Sequence, residues 1–147
     1  MQKKVFTLIS MVLLVAAVSK AGSLNRDEIV RDADWSKMKA VTVSMGEFKF
    51  EPSRLHFTAG VPYKLTIRNT GEVKHYFVSE GFFKAIALRK VETRDGEIKA
   101  PYLTAVEVFP GRSIDLYFVP VSQDTYELTC TIKGHAEMGM AGHVVVE

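Results

Sequence analysis

Four side chains able to bind a soft metal ion, of three kinds, crowd the C-terminal end of the chain, in the run Cys130-Thr131-Ile132-Lys133-Gly134-His135-Ala136-Glu137-Met138-Gly139-Met140. Thiolate and thioether sulfur combined with imidazole favour copper over harder cations. Two His, one Cys and a weak axial Met form a donor set suited to a copper ion that exchanges single electrons. An isolated buried Cys is ordinarily a small core hydrophobe, and an isolated His ordinarily packs or faces solvent. The spacing changes that reading, because His135 follows Cys130 by five residues and Met140 follows His135 by five. A short loop between two strands can hold all three around one point.

The fourth donor must come from elsewhere, and the strand pattern nominates His75. Val41 and Val43 alternate with Thr42 and Ser44, Phe48 and Phe50 with Glu47 and Lys49, and Leu55 and Phe57 flank His56. Tyr63, Leu65 and Ile67 share one face after the turn Ala59-Gly60-Val61-Pro62. Val73, His75 and Phe77 share the inward face of the next strand. Residues 82–90, FFKAIALRK, carry helix formers without a breaker and predict a helical excursion, closed by the turn Arg94-Asp95-Gly96. Strand patterns return at 104–109, and at Ile114, Leu116 and Phe118. Tyr126, Leu128 and Cys130 then share a face, and Val144-Val145-Val146 ends the chain. About eight short strands and one short helix predict an all-β Greek-key sandwich rather than a βαβ arrangement.

The chain has 147 residues with one Cys and four His. An intrachain disulfide, a Cys-rich zinc site and a two-cysteine dinuclear copper centre are thereby excluded. Residues 1–21 read as a signal peptide, with Lys3 and Lys4 before an apolar stretch from Val5 to Val18 and small residues at Ser19 and Ala21. That stretch is shorter than a bilayer span. Its removal would take away Lys3, Lys4 and Lys20 and turn the formal charge of +2 into −1, leaving no basic stripe for nucleic acid. Residues 22–39 are charge-dense and predict a loosely attached linker or short helix around Asp27 to Trp35, with Trp35 as its packing anchor. Residues 40–147 form the domain.

In strand order, in the upstream His75 and in the C-x4-H-x4-M loop, the chain resembles the cupredoxins, the small blue copper proteins. Its loop spacing is similar to that of rusticyanin and auracyanin and one residue longer between His and Met than in azurin. The resemblance spans roughly Val41 to Glu147 and implies one copper ion in a type 1 site. His75, Cys130 and His135 would be the equatorial ligands and Met140 the axial one, with Met138 as its competitor. The segment at 82–90 lies where azurin-like members carry a helical flap. Tyr76 departs from the family, in which Asn often follows the first His and ties the ligand loops together, and Glu137 is an unusual carboxylate beside the ligands.

The signal-peptide reading implies a periplasmic or otherwise exported protein, and the resemblance implies a monomeric electron carrier that is not an enzyme. Its partners would be redox proteins such as cytochromes or membrane oxidoreductases, met around the exposed edge of His135. A copper carrier or sequestration protein built on the same site is the alternative. His56 and His143 read as surface imidazoles.

Overall fold

The computed structural model describes residues 25–147. The signal-peptide reading of residues 1–21 and the first three residues of the charged segment lie outside that range. Period-two alternation decides most of the architecture. Strands β1 (Lys39–Gly46), β2 (Lys49–Glu51), β3 (Arg54–Phe57) and β4 (Tyr63–Asn69) are followed by β5 (His75–Phe77), the helix α2 (Glu80–Lys84) and β6 (Ile86–Thr93). β7 (Gly96–Ile98), β8 (Val106–Val108), β9 (Ser113–Pro120), β10 (Asp124–Thr129) and β11 (Ala141–Val146) complete the order, and a first helix α1 (Arg26–Asp32) precedes β1.

One layer is a six-stranded sheet in the order β2-β1-β4-β9-β6-β7, in which β1 and β4 run parallel. The other is made of β10-β11-β3 and the β5-β8 pair. Reciprocal backbone bonds between Val78 and Thr129, both 3.0 Å, tie β5 to β10. The two layers face each other across a core that includes Val43, Leu65, Ile67, Leu116 and Phe118 from one side and Leu55, Phe57, Phe77, Leu128 and Val144 from the other. Phe82 of α2 stacks on Phe57 at 5.5 Å and meets Phe118 edge-on at 5.3 Å, closing one end of this core. The architecture is the expected Greek-key β-sandwich, divided more finely, with eleven strands among the described residues.

Three local expectations are corrected. The helical excursion predicted over 82–90 is confined to Glu80–Lys84, because Ile86 to Glu92 pair with β9 instead. Pairing with a central strand outweighs the modest helix propensity of Ala, Leu, Lys and Arg. Phe48 does not continue the β1 alternation: Glu47 and Phe48 form the two-residue turn between β1 and β2, and Phe48 is partly exposed. Val73 precedes β5 in a bend and is 47% exposed, so the inward face there begins at His75.

The charged N-terminal segment is docked more firmly than predicted. Asn25 caps α1, and Arg26 donates to the carbonyls of Ile86 (3.1 Å) and Lys84 (2.7 Å). Trp35 donates from Nε1 to the Val30 carbonyl at 2.9 Å, while the Arg89 guanidinium lies 4.5 Å from its ring centre. Trp35 is thus the packing anchor its sequence context suggested, held through polar and cation–π contacts.

Candidate metal centre

Cys130 lies one residue beyond the end of β10 and Met140 one residue before β11, so antiparallel pairing of these strands closes the loop between them at its base. The Cys130 N–H donates to the Met140 carbonyl at 3.2 Å, and the Met140 N–H to the His135 carbonyl at 2.9 Å. Turns within the loop are held by the His135 N–H on the Ile132 carbonyl (3.0 Å) and the Met138 N–H on the Gly134 carbonyl (3.1 Å). Gly134 and Gly139 take positive φ values of 86° and 109°, a conformation that Gly adopts without steric cost.

His75 arrives from the neighbouring strand. The bridge between Val78 and Thr129 places β5 beside the end of β10, and the Tyr76 N–H donates to Cys130 Sγ at 3.5 Å. One ligand atom each from His75, Cys130 and His135 then lies within 4.8 Å of the others. Cys130 Sγ and His135 Nδ1 are 3.7 Å apart. Two donors each about 2.0–2.3 Å from a single ion, at roughly 110–120° to one another, stand about 3.5–3.7 Å apart. The spacing therefore fits a shared ion.

Burial supports the same conclusion. His75 and Cys130 are buried while His135 is partly exposed. Both ring nitrogens of His75 are buried without a hydrogen-bond partner, an arrangement that costs about 1–3 kcal/mol per polar group unless something else satisfies it. Burial pushes the His75 imidazole below the usual histidine range, and the neighbouring His135 adds to the effect. The shift, opposed in part by the Glu47 carboxylate, favours the neutral ring, the form in which an imidazole binds a metal. A buried thiol, a buried imidazole and a second imidazole converging on one point suit copper.

Met140 is fully buried, whereas Met138 is 64% exposed. Glu137 is exposed and stands outside the His75, Cys130 and His135 group. His56 and His143 are exposed, as expected, with His56 3.8 Å from Glu147.

Sequence reasoning missed the residues that hold His75 in place. Asn69, fully buried at the end of β4, donates from Nδ2 to the carbonyls of Val73 and Val108, both at 2.8 Å, and accepts the Gly71 N–H at 2.8 Å. Glu47 Oε1 accepts the N–H of Glu72 at 2.6 Å and that of Val73 at 3.4 Å. Asn69 fixes the loop before His75 from within the sandwich, and Glu47 fixes it from the turn. The only signal in the sequence was Asn69-Thr70-Gly71 at a strand end, which reads simply as a turn. The Tyr76 phenol contributes nothing comparable: its hydroxyl is 3.5 Å from Lys74 Nζ, on the outer side, and only its backbone N–H reaches the cysteine.

Fold and donor cluster together define a class, and comparison with known proteins agrees. The family model for the cupredoxin-like domain matches residues 7–146, and the chain belongs to that family. A characterised relative, the copper-resistant cuproprotein CopI of Rubrivivax gelatinosus, is 30% identical over 120 residues, covering 79% of this chain and 72% of that protein. Among solved structures, dithionite-reduced auracyanin from Roseiflexus castenholzii superposes with a TM-score of 0.53 at 18% identity, covering 74% of this chain and 96% of auracyanin. The McoA multicopper oxidase of Aquifex aeolicus gives a TM-score of 0.60 at 14% identity over 78% of this chain. This chain spans only 30% of that oxidase. At such identities the structural likenesses establish the fold.

Among the described residues, no helix is long and apolar enough to cross a membrane.

Proposed function

We propose that this cupredoxin-like protein is an exported, monomeric electron carrier holding one copper ion in a type 1 site, with His75, Cys130 and His135 as the strong ligands and Met140 as the weak axial one. The observation that carries the proposal is the convergence of one thiol and two imidazoles within 4.8 Å, with neither ring nitrogen of His75 hydrogen-bonded. Copper held there supplies one-electron chemistry between its Cu(I) and Cu(II) states. The chain's own contribution is positional. Cys130 and the loop before His75 are fixed by hydrogen bonds, so the donors would keep one arrangement in both oxidation states and little reorganisation would accompany a transfer.

The protein would take one electron from a reduced partner and pass it to an oxidised one, with no bond made or broken in a substrate. Three strong donors and a buried thioether leave no open position for a substrate, which argues against an enzyme. His135 is the ligand nearest solvent. Exposed Met138 and the Phe48 ring, edge-on to His135 at 5.2 Å, offer apolar surface there for cytochromes or membrane oxidoreductases. The apolar stretch from Val5 to Val18 supports export to the periplasm.

Adding Cu(II) to the protein and recording visible and electron paramagnetic resonance spectra tests the proposal. An intense thiolate-to-copper band is expected, and Cys130→Ser should abolish it. Copper binding with no such band in the unaltered protein would sink the reading.

A second reading has one observation in its favour, the similarity to a protein named for copper resistance. In that reading the same residues carry or sequester copper. Rapid loss of copper to a mild chelator, together with slow electron exchange with a small redox protein, would favour it.

A further inference from the structure

The turn between β1 and β2 touches both histidines of the cluster. Its first residue, Glu47, places Oε1 3.7 Å from His75 Nε2. That distance is too long for a hydrogen bond but within reach of a small adjustment of either side chain. Its second residue, Phe48, sets its ring edge-on to His135, with centroids 5.2 Å apart. Phe48 is also the one non-glycine residue with positive φ among the described residues, at 59°. A bulky side chain in the left-handed region costs on the order of 1 kcal/mol, and turns that need this conformation ordinarily use Gly or Asn. Strain retained against an easy alternative commonly marks a functional position.

The turn is well anchored for such a purpose. The Glu47 carboxylate accepts the Glu72 and Val73 N–H groups, so it cannot leave the His75 loop without breaking both bonds. A Cβ on Gly71 would collide with that carboxylate, so the absence of a side chain there lets the two segments meet. On the other side, the Phe48 carbonyl lies 3.5 Å from the position a Cβ on Gly139 would occupy, beside Met140 in the ligand loop. The turn thus bridges the two segments that deliver the donors, one before β5 and one before β11.

We propose that the Glu47-Phe48 turn is a positioning clamp for the copper centre: Glu47 orients the His75 ring through Nε2 and sets a negative charge beside it, and Phe48 shields the ring of the partly exposed His135. The inference rests on the copper-site reading above. With Nε2 held by Glu47, Nδ1 is the ring nitrogen left to bind the metal. Carboxylates that orient a metal-binding imidazole in this way also make it a better donor. A nearby negative charge stabilises the more positive metal state, so Glu47 lowers the reduction potential. The Phe48 ring keeps water and competing ligands from the exposed histidine.

Three variants separate these roles. Glu47→Gln keeps an acceptor for the Glu72 and Val73 N–H groups but loses the charge. It should keep the thiolate band of the copper-loaded protein and shift its reduction potential upward. Glu47→Ala loses both, and copper release to a chelator should accelerate about 10-fold or more, the usual cost of removing a residue that orients a metal ligand. Phe48→Asn suits the left-handed turn, so the copper-free protein should unfold at an equal or higher denaturant concentration while releasing copper faster. A merely structural phenylalanine would not separate stability from copper retention in this way. Unchanged potential in Glu47→Gln, or unchanged release in both Glu47→Ala and Phe48→Asn, overturns the proposal. Amide exchange in the copper-free protein gives a readout independent of the metal. The Glu72 and Val73 amides should exchange faster in Glu47→Ala than in Glu47→Gln, and equal rates reject the clamp even if the wild-type protein shows no thiolate band. Failure of the copper-site reading would appear instead as absence of that band in the unaltered protein.

Discussion

Met138 and Met140 are two residues apart and chemically identical, yet one is 64% exposed and the other fully buried beside the closed base of the loop. A thioether is a weak donor that needs a fixed position, and in the proposed site the buried Met140 is the better placed of the two. Replacing Met140 with Gln should shift both the visible spectrum and the reduction potential of the copper-loaded protein, and the same change at Met138 should leave the spectrum in place. The reverse pattern in optical and potentiometric titrations would exchange their roles. At His75 the sign of a pH effect follows from burial. In the unfolded chain an imidazole titrates near 6.5, and in the folded protein burial holds it lower. Above that pH the ring is neutral in both states and contributes no pH dependence. As the pH falls below 6.5, the unfolded chain takes up a proton that the folded chain resists, and stability falls until the folded value is passed. The urea midpoint of the copper-free protein should therefore drop between pH 7 and pH 5, and His75→Asn should remove much of that slope.

At the scale of elements, the parallel contact between β3 and β11 has the least room. Gly142 pairs with Leu128 of β10 while its other side lies against the Ser53 backbone, where a Cβ would collide with the carbonyl oxygen. That same carbonyl accepts the His143 N–H at 2.8 Å. Gly142→Ala must push β11 away from β3 and weaken this bond, at a cost of about 1–3 kcal/mol. Because β11 begins one residue after Met140, the displacement should also alter the copper spectrum. Denaturant unfolding and visible spectroscopy on one sample check both consequences. Short elements matter for the same positional reason. β5 has only three residues, and its register is set by β8 on one side and by the bridge to Thr129 on the other. Periodicity located this strand from one alternating pair, His75 and Phe77, and wrongly extended it to Val73.

For the whole molecule, a single core with no disulfide carries the stability, and the one cysteine is a free, buried thiol in the donor cluster. An ion bound only by the folded state adds RT ln(1 + [L]/Kd), or about 2.7 kcal/mol at a hundredfold excess over Kd. For a domain of this size that corresponds to a rise in Tm of roughly 10 °C. Calorimetry with and without copper should show such a rise in the wild-type protein and a much smaller one in Cys130→Ser. Equal shifts in the two proteins would place the bound copper elsewhere.

Much of the centre was legible because it is local. Cys130, His135 and Met140 share one loop, and strand alternation on either side brings its two ends together, so residue type and spacing alone nominated them as candidate donors and predicted the sandwich. What the sequence could not decide depends on contacts between segments far apart in the chain. Tyr76 and Cys130 are 54 residues apart, and they meet through one bridge between two sheet fragments that no local periodicity encodes. The choice of strand over helix after Ala85 likewise belongs to β9, which offers backbone partners that helix propensity cannot anticipate. Asn69, Glu47 and Phe48 carry no signature as residues in a line. Their roles arise because a buried amide, a carboxylate and a ring are each held against a loop or a histidine from another element, and only tertiary packing makes them neighbours.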